Sequence, residues 1–274
     1  MILVICLLLG SSNISYLWAQ DDEQLKIAFI EGRSGLDTAS TSNIGDDGLT
    51  RLVEQLLAFG VNTASIDLNK PIANDIDLVI IIRPRRALTT TQTAHLWDYL
   101  QAGGNLLLAF DPNSHNRVRT ETARSGISQL LELEYAITMQ DNILIEPWFD
   151  VELLLDVTSS WSEAIPDSIT SHPITHPLVQ YDLPIRFWGG RSLSVESVNG
   201  VANSNALVYT ENLYGETSRF NLNDKETPQF EFNIAKDFQG RLQIGSIAEN
   251  IETGSRVVII GVTTLFSWRY QVHF

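Results

Sequence analysis

Hydrophobic and polar positions fall into two periods along the first 110 residues. In LKIAFIEG (Leu25 to Gly32), β-branched and aromatic residues run together and end at a glycine, which predicts a strand. A polar loop follows, Arg33 to Gly45. Leu49, Leu52, Val53, Leu56 and Leu57 then recur at intervals of three and four, the stripe of an amphipathic helix. Asp46 or Asp47 is placed to cap its start and Gly60 to end it. VNTASIDL predicts a second strand, and DIDLVIIIRP a third whose apolar run implies burial on both faces.

The next helix carries its own punctuation. Thr89 and Gln92 form a T-x-x-Q capping box, Leu96, Trp97 and Leu100 supply the apolar face, and Gly103 sits where a terminating glycine belongs. NLLLAF is a fourth buried strand. The order strand, helix, strand, strand, helix, strand, with continuous apolar runs, predicts an α/β fold with a mostly parallel sheet flanked by helices. Beyond Asn113 the signals thin out. A short helix is expected around Ile127 to Leu133, and SHPITHPLVQYDLP is expected to be a proline-punctuated loop. ALVYT, QFEFNIA, RLQIGSIA and RVVIIG predict a β-rich second half. Val257 to Ile260 is apolar on both parities, so this last strand is expected in the main sheet. No Gly/Ser-rich linker divides the chain, and residues 25–274 are expected to form a single α/β domain.

Composition narrows the function classes. At 44% hydrophobic and 19% charged residues the chain is that of a folded globular protein. Its net charge of −15, from 33 acids against 18 bases, repels phosphate backbones and anionic headgroups, so no nucleic acid is expected as a partner. The first twenty residues, MILVICLLLGSSNISYLWAQ, carry no charge and contain an unbroken apolar run from Met1 to Leu9. That run is shorter than the roughly twenty residues a spanning helix needs. It suits the apolar region of a secretory signal, with a cleavage region near Ala19, or an uncleaved anchor interrupted by Ser and Asn. Residues 1–20 are therefore expected to be a signal peptide or N-terminal anchor, and the protein extracytoplasmic, periplasmic or at the cell surface. The single cysteine, Cys6, lies inside this segment, so a mature chain would hold no thiol and no disulfide.

The turn EGRSG after the first strand fits neither dinucleotide nor P-loop spacing, and Glu31, Asp37, Asp46 and Asp47 would repel a pyrophosphate there. Ser34 lacks the G-x-S-x-G elbow and reads as an ordinary loop serine. His172 and His176 are four apart, but each precedes a proline that pushes it out of helical geometry, so a rigid loop is expected and no metal site. Arg83, Arg85 and Arg86 form the sharpest basic cluster, at the carboxyl edge of the sheet where α/β folds bind ligands. They read as an anion site, a docking patch for an acidic partner, or a solvated loop. Asp111 ends the fourth strand beside Pro112. It could pair with Glu31 for acid–base work, but turn chemistry is the preferred reading. No catalytic residue and no cofactor is assigned.

The block DIDLVIIIRPRRALTTTQTAHLWDYLQAGGNLLLAFDPN carries Pro84, Leu88-Thr89, Tyr99-Leu100, Gly103-Gly104 and Asp111-Pro112 in order. With SHPITHPL, ENLYGET, IGSIAE and SRVVIIG, it resembles the auxiliary component of gliding-motility-type ABC transport systems, over roughly residues 25 to 262. The resemblance implies a flavodoxin-like or class I glutamine-amidotransferase-like fold without a catalytic cysteine, membrane anchoring, and no established enzymatic activity. The likeness fails at the end. GVTTLFSWRYQVHF stands where an acidic turn and a helix are usual, so the last strand is expected to lack its covering helix and leave apolar surface bare, as in a truncated or divergent C-terminus.

These readings converge on a non-enzymatic accessory or partner-binding subunit of an ABC-type transport system, with a permease or other membrane protein as partner. Two alternatives stay open. One is a hydrolase or carbohydrate-active domain using Asp111 with Glu31. The other is a sugar- or anion-binding module using Arg83, Arg85, Arg86 and Trp97, with a small-molecule or glycan ligand.

Overall fold

The computed structural model describes residues 24–31, 34–36, 38–45, 48–110, 126–140, 142–145, 162–164, 169–170, 172–183, 185–187, 190–196, 200–216, 235 and 237–266. The leader, Asp111 and all of QFEFNIA but its last residue lie outside them. The first half follows the predicted order: β1 (Lys26–Ile30), α1 (Thr50–Ala58), β2 (Asn62–Ile66), β3 (Leu78–Ile82), α2 (Thr90–Gln101) and β4 (Asn105–Ala109). The second half adds α3 (Gly126–Tyr135), β5 (Ile137–Met139), β6 (Ile143–Ile145), β7 (Ser162–Ala164), α4 (His176–Gln180), β8 (Ile185–Phe187), β9 (Leu193–Val195), β10 (Ala202–Glu216), β11 (Phe238–Asn250) and β12 (Arg256–Ile260). The proline-rich segment expected to be a loop therefore contains a short helix, α4, with Pro177 in its first turn, where the missing N–H costs nothing.

The sheet is mixed, not mostly parallel. Its order is β2-β1-β3-β4-β12-β11-β10-β6, and β2, β1, β3, β4 and β12 run parallel while β11, β10 and β6 pair antiparallel. The departure comes from the long hairpin β10–β11, whose residues read as separate short strands in the sequence. β5 and β9 extend the sheet beside β11, and β7 with β8 forms a small sheet of its own.

Burial on both faces explains the apolar runs. On one face Ile27, Phe29, Leu78, Ile80, Leu107 and Val258 pack with Leu52 and Leu56 of α1 and with Ile174, Phe187 and Phe266. On the other, Val79, Ile81, Leu106, Leu108, Val257 and Ile259 pack with Leu96 and Leu100 of α2 and Ile127 and Leu131 of α3. Each fully buried side chain of this size contributes about 1.5–3 kcal/mol. Val257, Val258 and Ile259 are each 0% exposed, so β12 leaves no bare surface of the kind the sequence led us to expect. α3 is tied there as well, because the Tyr135 hydroxyl lies 2.6 Å from the Ser255 hydroxyl. Burial pushes the Tyr135 pKa up to about 12, so it stays a neutral hydrogen-bonding group.

Helix ends fix the corners. α1 starts at Leu49 with no side-chain cap, in place of the cap expected from Asp46 or Asp47, which lie outside the described residues. The buried Leu49 anchors it instead, donating its N–H to the Ser40 carbonyl at 2.9 Å. Its C-terminus is a Schellman motif: Gly60 (φ +75°) donates to the Leu57 carbonyl and Val61 to the Leu56 carbonyl, both at 3.0 Å. α2 keeps the predicted Thr89–Gln92 capping box. It ends the same way, with Gly103 (φ +89°) donating to Leu100 and Gly104 to Tyr99. The Tyr99 ring covers Gly104, and its hydroxyl accepts the Asn105 N–H at 3.1 Å while lying 3.2 Å from the Ile76 carbonyl. The Y-L-x-x-G-G motif is thus a corner in which ring, glycine and strand start are made for one another.

Two substitutions test that corner. A Cβ at position 104 would stand 2.3 Å from the Tyr99 Cζ, so Gly104→Ala is expected to cost about 2–3 kcal/mol by overpacking. Tyr99→Phe strands the Asn105 N–H and is expected to cost about 1–3 kcal/mol. Urea unfolding followed by circular dichroism measures both.

Candidate functional site

The carboxyl ends of β1, β3, β4 and β12 share one rim. β1 has β2 on one side and β3 on the other, so the chain reverses its winding between β1 and β3. At such a switch point open α/β sheets form their ligand crevice. Here the chain itself occupies that place. The Thr38 hydroxyl donates to the Ile30 carbonyl at 2.7 Å, and the Ala39 N–H donates to the Ile82 carbonyl at 3.0 Å. The Leu36 carbonyl accepts from the N–H groups of Arg85 and Arg86, at 2.9 and 3.2 Å, and the Leu36 side chain is buried. Ser34, read as an ordinary loop serine, is a buried strut: its Oγ accepts the Leu68 N–H at 2.9 Å and its carbonyl accepts from Gln92 Nε2 at 2.6 Å.

Glu31 leaves β1 at this rim, half-buried, and turns to the β2 side. One carboxylate oxygen accepts the Thr41 N–H and the other accepts from the Ser65 hydroxyl. Burial pushes its pKa up, but the bonds from Ser65 and Thr41 outweigh that and hold it below the usual glutamate value. A general acid needs the opposite shift. Glu31 is a clamp on the loop 38–45, and its proposed companion Asp111 lies outside the described residues.

The basic turn leaves β3 next door. Arg83 has a left-handed backbone (φ +53°), although it precedes Pro84, whose ring disfavours helical geometry in its neighbour. The Arg83 N–H donates to the Ala109 carbonyl at 2.9 Å, joining the ends of β3 and β4. Arg83 and Arg85 are half-buried, Pro84 is buried and Arg86 is exposed. Trp97, offered as an aromatic partner for these arginines, sits seven residues into α2, about 10 Å along its axis from Thr90. It belongs to the stripe whose Thr93 lies against Gly126 of α3, away from the rim.

Among the described residues no group of three or more His, Cys, Asp or Glu is placed to hold a metal. His172 accepts the Ile174 N–H on Nδ1 and His176 opens α4, so the pair punctuates a turn. Burial lowers the His172 pKa. No described helix is long and apolar enough to cross a membrane. Sequence reasoning missed Arg191, which is 1% exposed in this acidic chain. Its N–H donates to the Gly261 carbonyl at 2.8 Å, and its own carbonyl would stand 2.1 Å from a Cβ at position 261. Beside it Asn142 and Ser192 bond reciprocally at 2.8 and 3.0 Å. The signal in the sequence was the double glycine before Arg191 and the glycine closing RVVIIG, both places of close backbone approach.

The clamp has a pH signature. A glutamate whose folded pKa is depressed stabilises the fold above its unfolded value, near 4.5, and loses that contribution as pH falls below it. Glu31→Ala is expected to cost about 1–2 kcal/mol at neutral pH through two lost charge-assisted bonds. The gap to wild type should narrow as pH falls through that value, and denaturant titrations across this range measure it.

Comparison with known proteins places the fold. The mmIFT52 N-terminal domain superposes with a TM-score of 0.57 at 16% identity, covering 90% of each chain, and at that identity the likeness shows the fold alone. A cytoplasmic protein from Salmonella typhimurium (TM-score 0.47, 11% identity, 86% of this chain and 87% of that one) is similar at a lower level. So is a ThuA-like protein from Bacteroides uniformis (0.43, 10%, 89% and 85%). No curated protein matches the sequence. Residues 24–148, which hold the Tyr99–Gly104 corner and the basic rim turn, match the family described as an ABC-type uncharacterized transport system, in line with the resemblance read from the sequence.

Proposed function

We propose that the protein is a non-enzymatic accessory subunit of an ABC-type transport system, working outside the cytoplasm by holding a permease or another membrane protein. The family match over residues 24–148 supplies the transport context. The observation that carries the non-enzymatic part is the filled crevice: Leu36, Thr38 and Ala39 satisfy the strand ends where an α/β enzyme would seat its substrate. Ser34 and Glu31, which lie beside that crevice, are both committed to hydrogen bonds, Ser34 with the Leu68 N–H and Glu31 with Thr41 and with Ser65 of β2. The uncharged residues 1–20 support export or anchoring.

Expression of the full chain with the ABC transporter of its own genome, followed by mild detergent extraction and affinity capture, tests this reading. The expected outcome is co-purification of the permease from the membrane fraction. Recovery of the protein only as free cytoplasmic material would refute it.

A further inference from the structure

We infer that His172 is an acid-sensitive latch, whose neutral ring holds the segment 172–183 against the sheet and whose protonation frees it. The latch is built from the turn that opens α4. Pro173 and Pro177 bring no N–H to it, so three donors, those of Ile174, Thr175 and His176, remain to be satisfied at its start. His172 accepts from all three. Its Nδ1 takes the Ile174 N–H at 3.2 Å, and its carbonyl takes those of Thr175 and His176 at 2.9 and 2.7 Å. The Thr175 hydroxyl closes the turn from within by donating to the Thr170 carbonyl.

The same turn seats the segment on the core. Ile174 is 3% exposed and packs in the cluster that holds Leu52, Leu56, Phe187 and Phe266, with Leu178 resting against it. An Nδ1 that accepts an N–H carries no proton, so the ring is neutral with its hydrogen on Nε2. A second proton has only Nδ1 to occupy. There it meets the Ile174 N–H, and an accepted bond becomes two opposed donors. Surrounding charges do not relieve this. Arg51 and Glu54 of α1, Tyr209 of β10, Arg241 and Glu249 of β11, and His176 and Asp182 of the segment itself are the described titratable groups on the neighbouring elements. None of them acts on the ring, whose pKa burial alone holds below 6.5. A ring with a lower pKa docked than free supports docking above that value and gives way as pH falls below it.

The latch needs no transporter, so it stands apart from the reading above. Hydrogen exchange of the full chain, followed by mass spectrometry at about pH 7.5 and about pH 5.5 and corrected for the intrinsic rate, tests it. Protection of the amides 174–183 is expected to fall at least about threefold at the lower pH, while that of α2 holds. His172→Asn, whose Oδ1 can accept the same N–H two residues on and does not titrate, should keep that protection at both pH values. His176→Asn should leave the wild-type response in place. A proton NMR titration of the His172 ring in the wild type needs no variant, and its expected result is a pKa below 6.5. Equal protection at the two pH values, a response that survives in His172→Asn or vanishes in His176→Asn, or a ring that titrates at or above its ordinary value would overturn the latch.

Discussion

A strand that is apolar on both parities can rest only where both of its faces are covered. Four strands of this chain, β1, β3, β4 and β12, meet that condition, and the arrangement of everything else follows from satisfying it. α1 closes one face and α2 the other, as the crossover connections of a parallel sheet require. Two short helices cannot cover the far end, where β12 lies beside β4. The second half supplies what is missing: α3 on one side, and Ile174, Phe187 and Phe266 on the other. Described residues of the β-rich half therefore share both core clusters with the first half.

How much of this was legible depended on the range of the interaction. The capping box at Thr89 and the glycines at 60 and 103 are local signals, and each appears where the sequence put it. β12 was recognisable from its double apolar parity. The antiparallel direction of β11 was not, because direction depends on which strand a segment meets, and β11 meets β12 through a tight turn but β10 through a connection of more than twenty residues. The missing cap of α1 has a similar cause. Leu49 is held by Ser40, nine residues earlier, and a loop bond of that kind has no local signature.

The candidate site divides the same way. That Glu31 and the arginine turn leave adjacent strand ends could be inferred from the strand order, and the structure puts them on neighbouring β1 and β3. Which way Glu31 turns could not. Its partners Thr41 and Ser65 sit ten and thirty-four residues away, and they make it an anchor for the loop. Arg191 was overlooked for a different reason: a fully buried arginine runs against the usual surface preference of its residue type, so only the neighbouring glycines pointed to it and its own residue type did not.

A closed rim changes what recognition can look like. In an open crevice the strand ends present unsatisfied carbonyls and N–H groups to a ligand, and specificity comes from a cavity. Here Ile30 and Ile82 spend their terminal carbonyls on Thr38 and Ala39, so the backbone offers a ligand little at that point. Any ligand at this rim would then meet side chains standing above the closed surface, and the backbone bonds decide how rigidly those are presented. The left-handed Arg83 makes sense in those terms. The bonds that close the crevice also fix the turn that rises from it, so one set of contacts fills the switch point and sets the backbone of residues 83–86.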